Sequence, residues 1–77
     1  MTDRLKKQSG RDIVKILVNK FAFTLRPTKG SHVVLIKIIR NEKIGTVVPL
    51  HSEVKLSLLK EILKQARLTE EEFAQYQ

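Results

Sequence analysis

Residues 32–40 have the sequence HVVLIKIIR, and this stretch decides the fold. Valine and isoleucine dominate it, and β-branched side chains favour extended backbone, so we predict that it forms the longest strand. Residues 41–45, NEKIG, are predicted to form a turn, and residues 46–48, TVV, an antiparallel partner that Pro49 closes. Before it, residues 23–26 predict a shorter strand, which ends because proline lacks the N–H that a sheet ladder needs.

The apolar pattern of the longest strand is nearly continuous, so it does not establish which face is buried. One face carries Val33, Leu35, Lys37 and Ile39, and the other carries His32, Val34, Ile36, Ile38 and Arg40. Each face includes at least one basic or imidazole side chain. The sequence alone leaves both registers open.

Helical signals flank the strands. Ser9 and Asp12 form an S-x-x-D start, and apolar residues at helical spacing extend that helix to about Lys20. A second apolar stripe, of Leu59, Ile62, Leu63 and Ala66, predicts another helix. Residues 69–72, TEEE, form a capping box that predicts a short last helix returning Phe73 to the core. The fold class is therefore α+β, a two-layer α-β-β-β-α sandwich with a short C-terminal helix and one open sheet face.

Size and composition limit the functions that the chain can have. Its 77 residues fit a single domain over residues 1–77, and the absence of cysteine excludes a disulfide scaffold or a thiolate nucleophile. The net charge is +7, which favours a polyanion, and nucleic acid above all, as partner. The longest aliphatic run is far shorter than the ~20 residues of a membrane span, so we expect no membrane association and a cytoplasmic protein.

Residues 29–32, KGSH, combine groups that suit chemistry at a phosphodiester. Gly30 allows close approach to a phosphate, Lys29 supplies charge, Ser31 a hydroxyl and His32 an imidazole that can transfer a proton near neutral pH. A ribonuclease needs a base for the RNA 2′-hydroxyl, an acid for the leaving oxygen and positive charge for the phosphorane. The alternative is an ordinary turn before a strand, with a histidine of no catalytic role.

His51 is the only other histidine, and two interpretations of it remain open: a second proton carrier, or the residue that precedes a helix and satisfies a backbone group. The chain has no phosphate-binding glycine loop and no nucleophile elbow. We find no metal-ligand pattern and expect no cofactor. The candidate phosphate contacts are Lys29 and three further basic side chains, Arg26, Lys37 and Arg40.

Several motifs together resemble the HicA toxin family of small mRNA interferases. They are Ser9-Gly10-Arg11-Asp12-Ile13, Phe23, Gly30-Ser31-His32-Val33, Val48-Pro49-Leu50-His51 and Ile62-Leu63-Lys64-Gln65-Ala66. The resemblance covers nearly the whole chain. It implies a fold similar to double-stranded RNA-binding domains, metal-independent mRNA cleavage with the histidine of the Gly-Ser-His motif, here His32, as the catalytic residue, and a HicB-type antitoxin as partner.

The chain departs from the family pattern at three places. Ala22-Phe23 stands where Gly-Phe is usual, Ser57-Leu58-Leu59 where Gly-Thr-Leu is usual, and Ala66-Arg67-Leu68 where Ala-Gly-Leu is usual. We expect Ser57 to cap the second helix in place of the usual motif. Arg67 removes the glycine that ends a helix most easily in the left-handed conformation.

Three functions therefore remain in view. The first is an endoribonuclease toxin that cleaves mRNA by acid–base catalysis at His32. The second is a non-catalytic RNA-binding module of the same fold, which the basic charge and the open sheet face support equally. The third is an adaptor whose basic face binds an acidic protein.

Overall fold

The computed structural model describes residues 4–27 and 30–77. Its elements are α1 (Gly10–Phe21), β1 (Thr24–Pro27), β2 (His32–Ile39), β3 (Glu42–Pro49), α2 (Leu56–Gln65) and α3 (Glu70–Ala74). The strands form one antiparallel sheet in the order β1-β2-β3. The predicted α+β class and the order of elements are confirmed.

Side chains cap two of the helices as the sequence predicts. The Ser9 hydroxyl accepts a hydrogen bond from the backbone N–H of Asp12 at 3.1 Å and so caps α1. At α3, Thr69 and Glu72 form the reciprocal capping box. Thr69 lowers the pKa of the Glu72 carboxyl. The larger cause is its backbone N–H, which donates to that carboxylate, and the smaller cause is its hydroxyl.

The turn between β2 and β3 is tighter than the predicted residues 41–45, so that prediction is wrong. Arg40 and Asn41 have φ of 51° and 66°, and β3 begins at Glu42. Positive φ at both central residues is the geometry of the two-residue hairpin turn that matches strand twist. Gly45 therefore lies within the strand, opposite Ile36, and does not mark the turn.

The structure establishes the register that the sequence leaves open. Val33 and Leu35 are 8% and 0% exposed and pack against the helices, so the opposite face of β2 is the open one. Lys37 shares the helix-side face, where its amine lies 5.6 Å from the centre of the Phe23 ring. The core between sheet and helices includes the whole predicted stripe of α2, and Phe73 is fully buried in it.

Left-handed residues end the two longer helices at positions where the family pattern has glycine. Ala22, the C-cap of α1, has φ of 60°, and Arg67, just after α2, has φ of 59°. Arg67 donates two hydrogen bonds to the Glu42 carboxylate, at 2.6 and 2.7 Å, and this contact lowers the pKa of that carboxyl. The exposed ion pair thus ties the end of α2 to the start of β3.

The N-terminus of α2 differs from the prediction. Lys55 is its N-cap, and no side chain caps the first turn there. Ser57 lies inside the helix, so the expectation that it caps α2 is wrong. Within residues 4–27 and 30–77, each helix falls short of the length and apolar character that a membrane crossing requires.

Candidate active site

Two imidazoles meet at one end of the sheet. His32 is the first residue of β2 and is exposed on the open face, two residues before Val34. His51, also exposed, follows β3, and its ring centroid lies 6.5 Å from that of His32 with the planes at 72°. They meet because β2 and β3 pair in a register that sets His32 opposite Pro49, so the chain leaving β3 passes beside it.

Backbone contacts hold this end of the sheet together. The N–H of Leu50 donates to the carbonyl oxygen of Ser31 at 2.6 Å, and the N–H of Gly10 donates to the carbonyl oxygen of His51 at 2.9 Å. The segment that carries His51 is therefore bonded on one side to the residue before His32 and on the other to the start of α1. The His51 carbonyl oxygen accepts from an N–H of α1, which precedes it in the chain, and its ring lies beside that of His32.

Gly10 supports the segment that carries His51, although its sequence motif predicts only the start of a helix. A Cβ at this position would lie 1.8 Å from the carbonyl oxygen of Pro49. Only glycine lets α1 approach the segment after β3 so closely. The Ser9-Gly10 pair indicates the start of a helix, but the sequence does not show which distant part of the backbone Gly10 contacts.

Some predicted site residues lie next to His32. Gly30, with φ of 87°, and Ser31 immediately precede it and are exposed. Arg26 is the Cα partner of Val34 in the neighbouring strand, so it shares the open face and is a diagonal neighbour of His32, with Cα atoms about 7–8 Å apart. Lys29 lies outside the described residues.

The other two predicted phosphate contacts lie elsewhere. Lys37 is on the helix-side face of β2, opposite to His32. Arg40 lies in the turn at the far end of that strand, about 26 Å from His32 at ~3.3 Å per residue. The structure thus places Gly30 and Ser31 next to the histidine and Arg26 on the same face of the neighbouring strand, where it lines a cavity with Thr24 and Ile36. It does not bring Lys37 or Arg40 to His32.

The arrangement is suited to proton transfer. Two exposed imidazoles at 6.5 Å can face a small group between them, one accepting a proton and the other donating one. The adjoining Arg26 guanidinium suits a phosphate oxygen. Over residues 4–27 and 30–77, no three histidine or carboxylate side chains cluster in the manner of a metal site.

Comparison with known families gives a match. A family model described as the HicA toxin of bacterial toxin-antitoxin systems matches residues 10–68. The matched span starts at the first residue of α1, ends just after α2 and contains the whole sheet with both histidines. No curated protein and no solved structure matches the chain.

Proposed function

The chain belongs to the HicA toxin family of bacterial toxin-antitoxin systems, and on that premise we propose that it is an endoribonuclease that cleaves mRNA. An antitoxin is the partner that such a system implies, and we propose that it is of the HicB type. The observation that supports cleavage is the exposed pair of histidine rings, 6.5 Å apart, at the end of the sheet.

The proposed reaction uses the nucleophile that RNA carries. One imidazole accepts the proton of the 2′-hydroxyl, the 2′-oxygen attacks phosphorus, and the bond from phosphorus to the 5′-oxygen breaks. The second imidazole, protonated, gives its proton to the departing 5′-oxygen. The products are a 2′,3′-cyclic phosphate and a 5′-hydroxyl, and a later exchange of protons with water restores both rings. His32 and His51 share the two proton-transfer roles.

Positive charge next to the rings supports the same proposal. A pentacoordinate phosphorane carries more charge on its oxygens than the starting phosphodiester does, so cations that are already in position lower the barrier. Arg26 lies beside His32 on the open face. Gly30 has φ of 87°, a conformation that glycine adopts readily, and a Cβ there would meet nothing within 4 Å.

A non-catalytic RNA-binding module remains the second candidate. The net charge of +7 and an open sheet face that carries Arg26 and Lys43 support RNA binding whether or not the histidines act on the bound strand. The two candidates differ in one measurable respect, which is cleavage by the purified protein.

We predict that His32→Ala lowers the RNA cleavage rate by at least ~100-fold, the usual contribution of a general acid or base. His51→Ala lowers it too, because the second proton transfer is lost. Both side chains are exposed, so truncation changes the free energy of unfolding by less than about 0.5 kcal/mol. Cleavage rate and melting temperature are measured for wild type and both variants on the same RNA, with and without a chelator.

Lys60→Ala, at an exposed position of α2, serves as the control and keeps wild-type activity. Cleavage by His32→Ala at the wild-type rate contradicts the catalytic proposal and favours the binding module. Loss of cleavage in chelator that magnesium restores contradicts the metal-independent mechanism.

A further inference from the structure

A groove of about 660 Å³ runs along β3, an edge strand of the sheet, and residues from both the open face and the helix side line it. Its walls include Val34, Ile36 and Val47, and its floor contains Gly45. Gly45 is the Cα partner of Ile36, so the missing side chain leaves a notch next to an exposed apolar strip. Val47 is 44% exposed.

Polar groups line the other end of the groove. The amide oxygen of Gln65 accepts a hydrogen bond from the Thr46 hydroxyl at 2.9 Å. The amide N–H groups of Gln65 are the donors that this side chain can offer to a ligand. The Arg67 guanidinium is held by two hydrogen bonds to Glu42, and Lys43 adds another positive charge. A fixed guanidinium plane is a surface on which a nucleobase can stack.

The groove begins close to the candidate active site. On the open face, the pair of His32 and Pro49 is followed by the pair of Val34 and Val47 and then by Ile36 and Gly45. Successive pairs on one face are about 6.7 Å apart, because a strand rises ~3.3 Å per residue. The first wall of the groove thus lies one step along the sheet from the catalytic histidine that we propose.

We propose that this groove is a nucleobase subsite, in which the RNA strand that passes His32 lays a base against Val34, Ile36 and Val47. The inference rests on the proposed function, since it names where the substrate of that site extends. The apolar walls on the open face match the faces of a base, and Gln65 lines the helix side of the same groove. The flanking cations, with a net charge of +7, favour a polyanion over an apolar protein segment as the occupant.

Gly45→Val tests the subsite while leaving the fold intact. Gly45 is outside the left-handed region, and a Cβ there would make only ordinary contacts, 3.5 Å from the carbonyl oxygen of Leu35 and 3.9 Å from Ile36 Cγ1. Valine also favours extended backbone, so this variant is expected to melt no lower than wild type. Its branched side chain fills the notch. Thr24→Val is the matched control, since Thr24 pairs with Ile36 from the other side and lies outside the groove.

Binding of a short fluorescent single-stranded RNA is measured by anisotropy at one salt concentration, in the His32→Ala background so that the strand stays intact. We expect Gly45→Val to weaken binding by about tenfold, the range found when one base contact is lost, and Thr24→Val to change it by less than about twofold. Wild-type affinity for Gly45→Val overturns the proposal. If wild type fails to cleave RNA while Gly45→Val still weakens binding, the catalytic proposal falls and the subsite stands.

A second measurement avoids the substitution altogether. The same RNA, unlabelled, is titrated into isotope-labelled protein, and resonances are followed at Gly45, at Val47 and at the Gln65 side-chain amide. Progressive shifts at these groups support the subsite. Shifts confined to the region of His32 and His51 overturn it and make a protein partner the better occupant of the groove.

Discussion

Gly10 permits the closest approach between α1 and the segment that carries His51, and it allows a prediction at the scale of a single residue. In Gly10→Ala the new Cβ would lie 1.8 Å from the Pro49 carbonyl oxygen, so backbone must move. We expect a loss of about 2 kcal/mol, the usual cost of overpacking, and a melting temperature lower by about 10 °C. Thermal unfolding followed by circular dichroism measures it.

The matched control is Gly45→Ala, the same chemical change at a glycine with free space. Its Cβ would be no closer than 3.5 Å to its neighbours, so this variant should melt at or above the wild-type temperature. Equal melting temperatures for the two variants would show that the contact at Gly10 relaxes without cost. In that case Gly10 would not be required to hold the segment that carries His51 in place.

At the scale of elements, two departures from the family pattern fall at the left-handed ends of helices, where glycine is the favoured residue. Ala22 ends α1 with φ of 60°, and its N–H bonds to the carbonyl oxygen of Leu17. A side chain makes that backbone conformation costly by about 1 kcal/mol, and glycine removes the cost. Arg67 takes the same conformation after α2, but its bond to Glu42 provides a contact that glycine would lack.

We therefore predict that Ala22→Gly stabilises the protein by about 1 kcal/mol and raises the melting temperature by about 4–8 °C. The side chain is exposed, so no packing is lost. Ala66→Gly is the control, because Ala66 is buried and right-handed, with φ of −79°, and glycine there should destabilise. A lower melting temperature for Ala22→Gly would mean that unfolded-chain entropy outweighs the strain at this position.

At the scale of the whole molecule, the net charge allows a test of the proposed binding of RNA. The net charge is +7, and the exposed bases include Arg26, beside His32, and Lys43, at the groove. Each phosphate contact releases counterions from the strand, so affinity falls as salt rises. We predict a slope of log K against log salt of about −0.7 for each contact with single-stranded RNA, measured by anisotropy from low to physiological salt. A flat response would exclude the basic surface from RNA binding and favour the protein adaptor.

Local signals made much of the fold predictable. The caps at Ser9 and Thr69 and the stripe from Leu59 to Ala66 depend on residues within one or two helical turns, so they act in the same way in any context. Glycine was a less reliable signal for a turn, because Gly45 is equally compatible with a turn and with a position inside a strand. The tight turn at Arg40 and Asn41 carries no glycine to signal it.

The sequence by itself determined the order of elements, the cap residues and the motif at Gly30 to His32, because each depends on neighbours along the chain. Only the tertiary structure decided which face of β2 is open, since its nearly continuous apolar pattern suits either register. It also decided that His51 lies 6.5 Å from His32 and that Gly10 packs beneath Pro49. These contacts join residues far apart in sequence, and only the pairing of β2 with β3 and the packing of α1 against them bring such residues together.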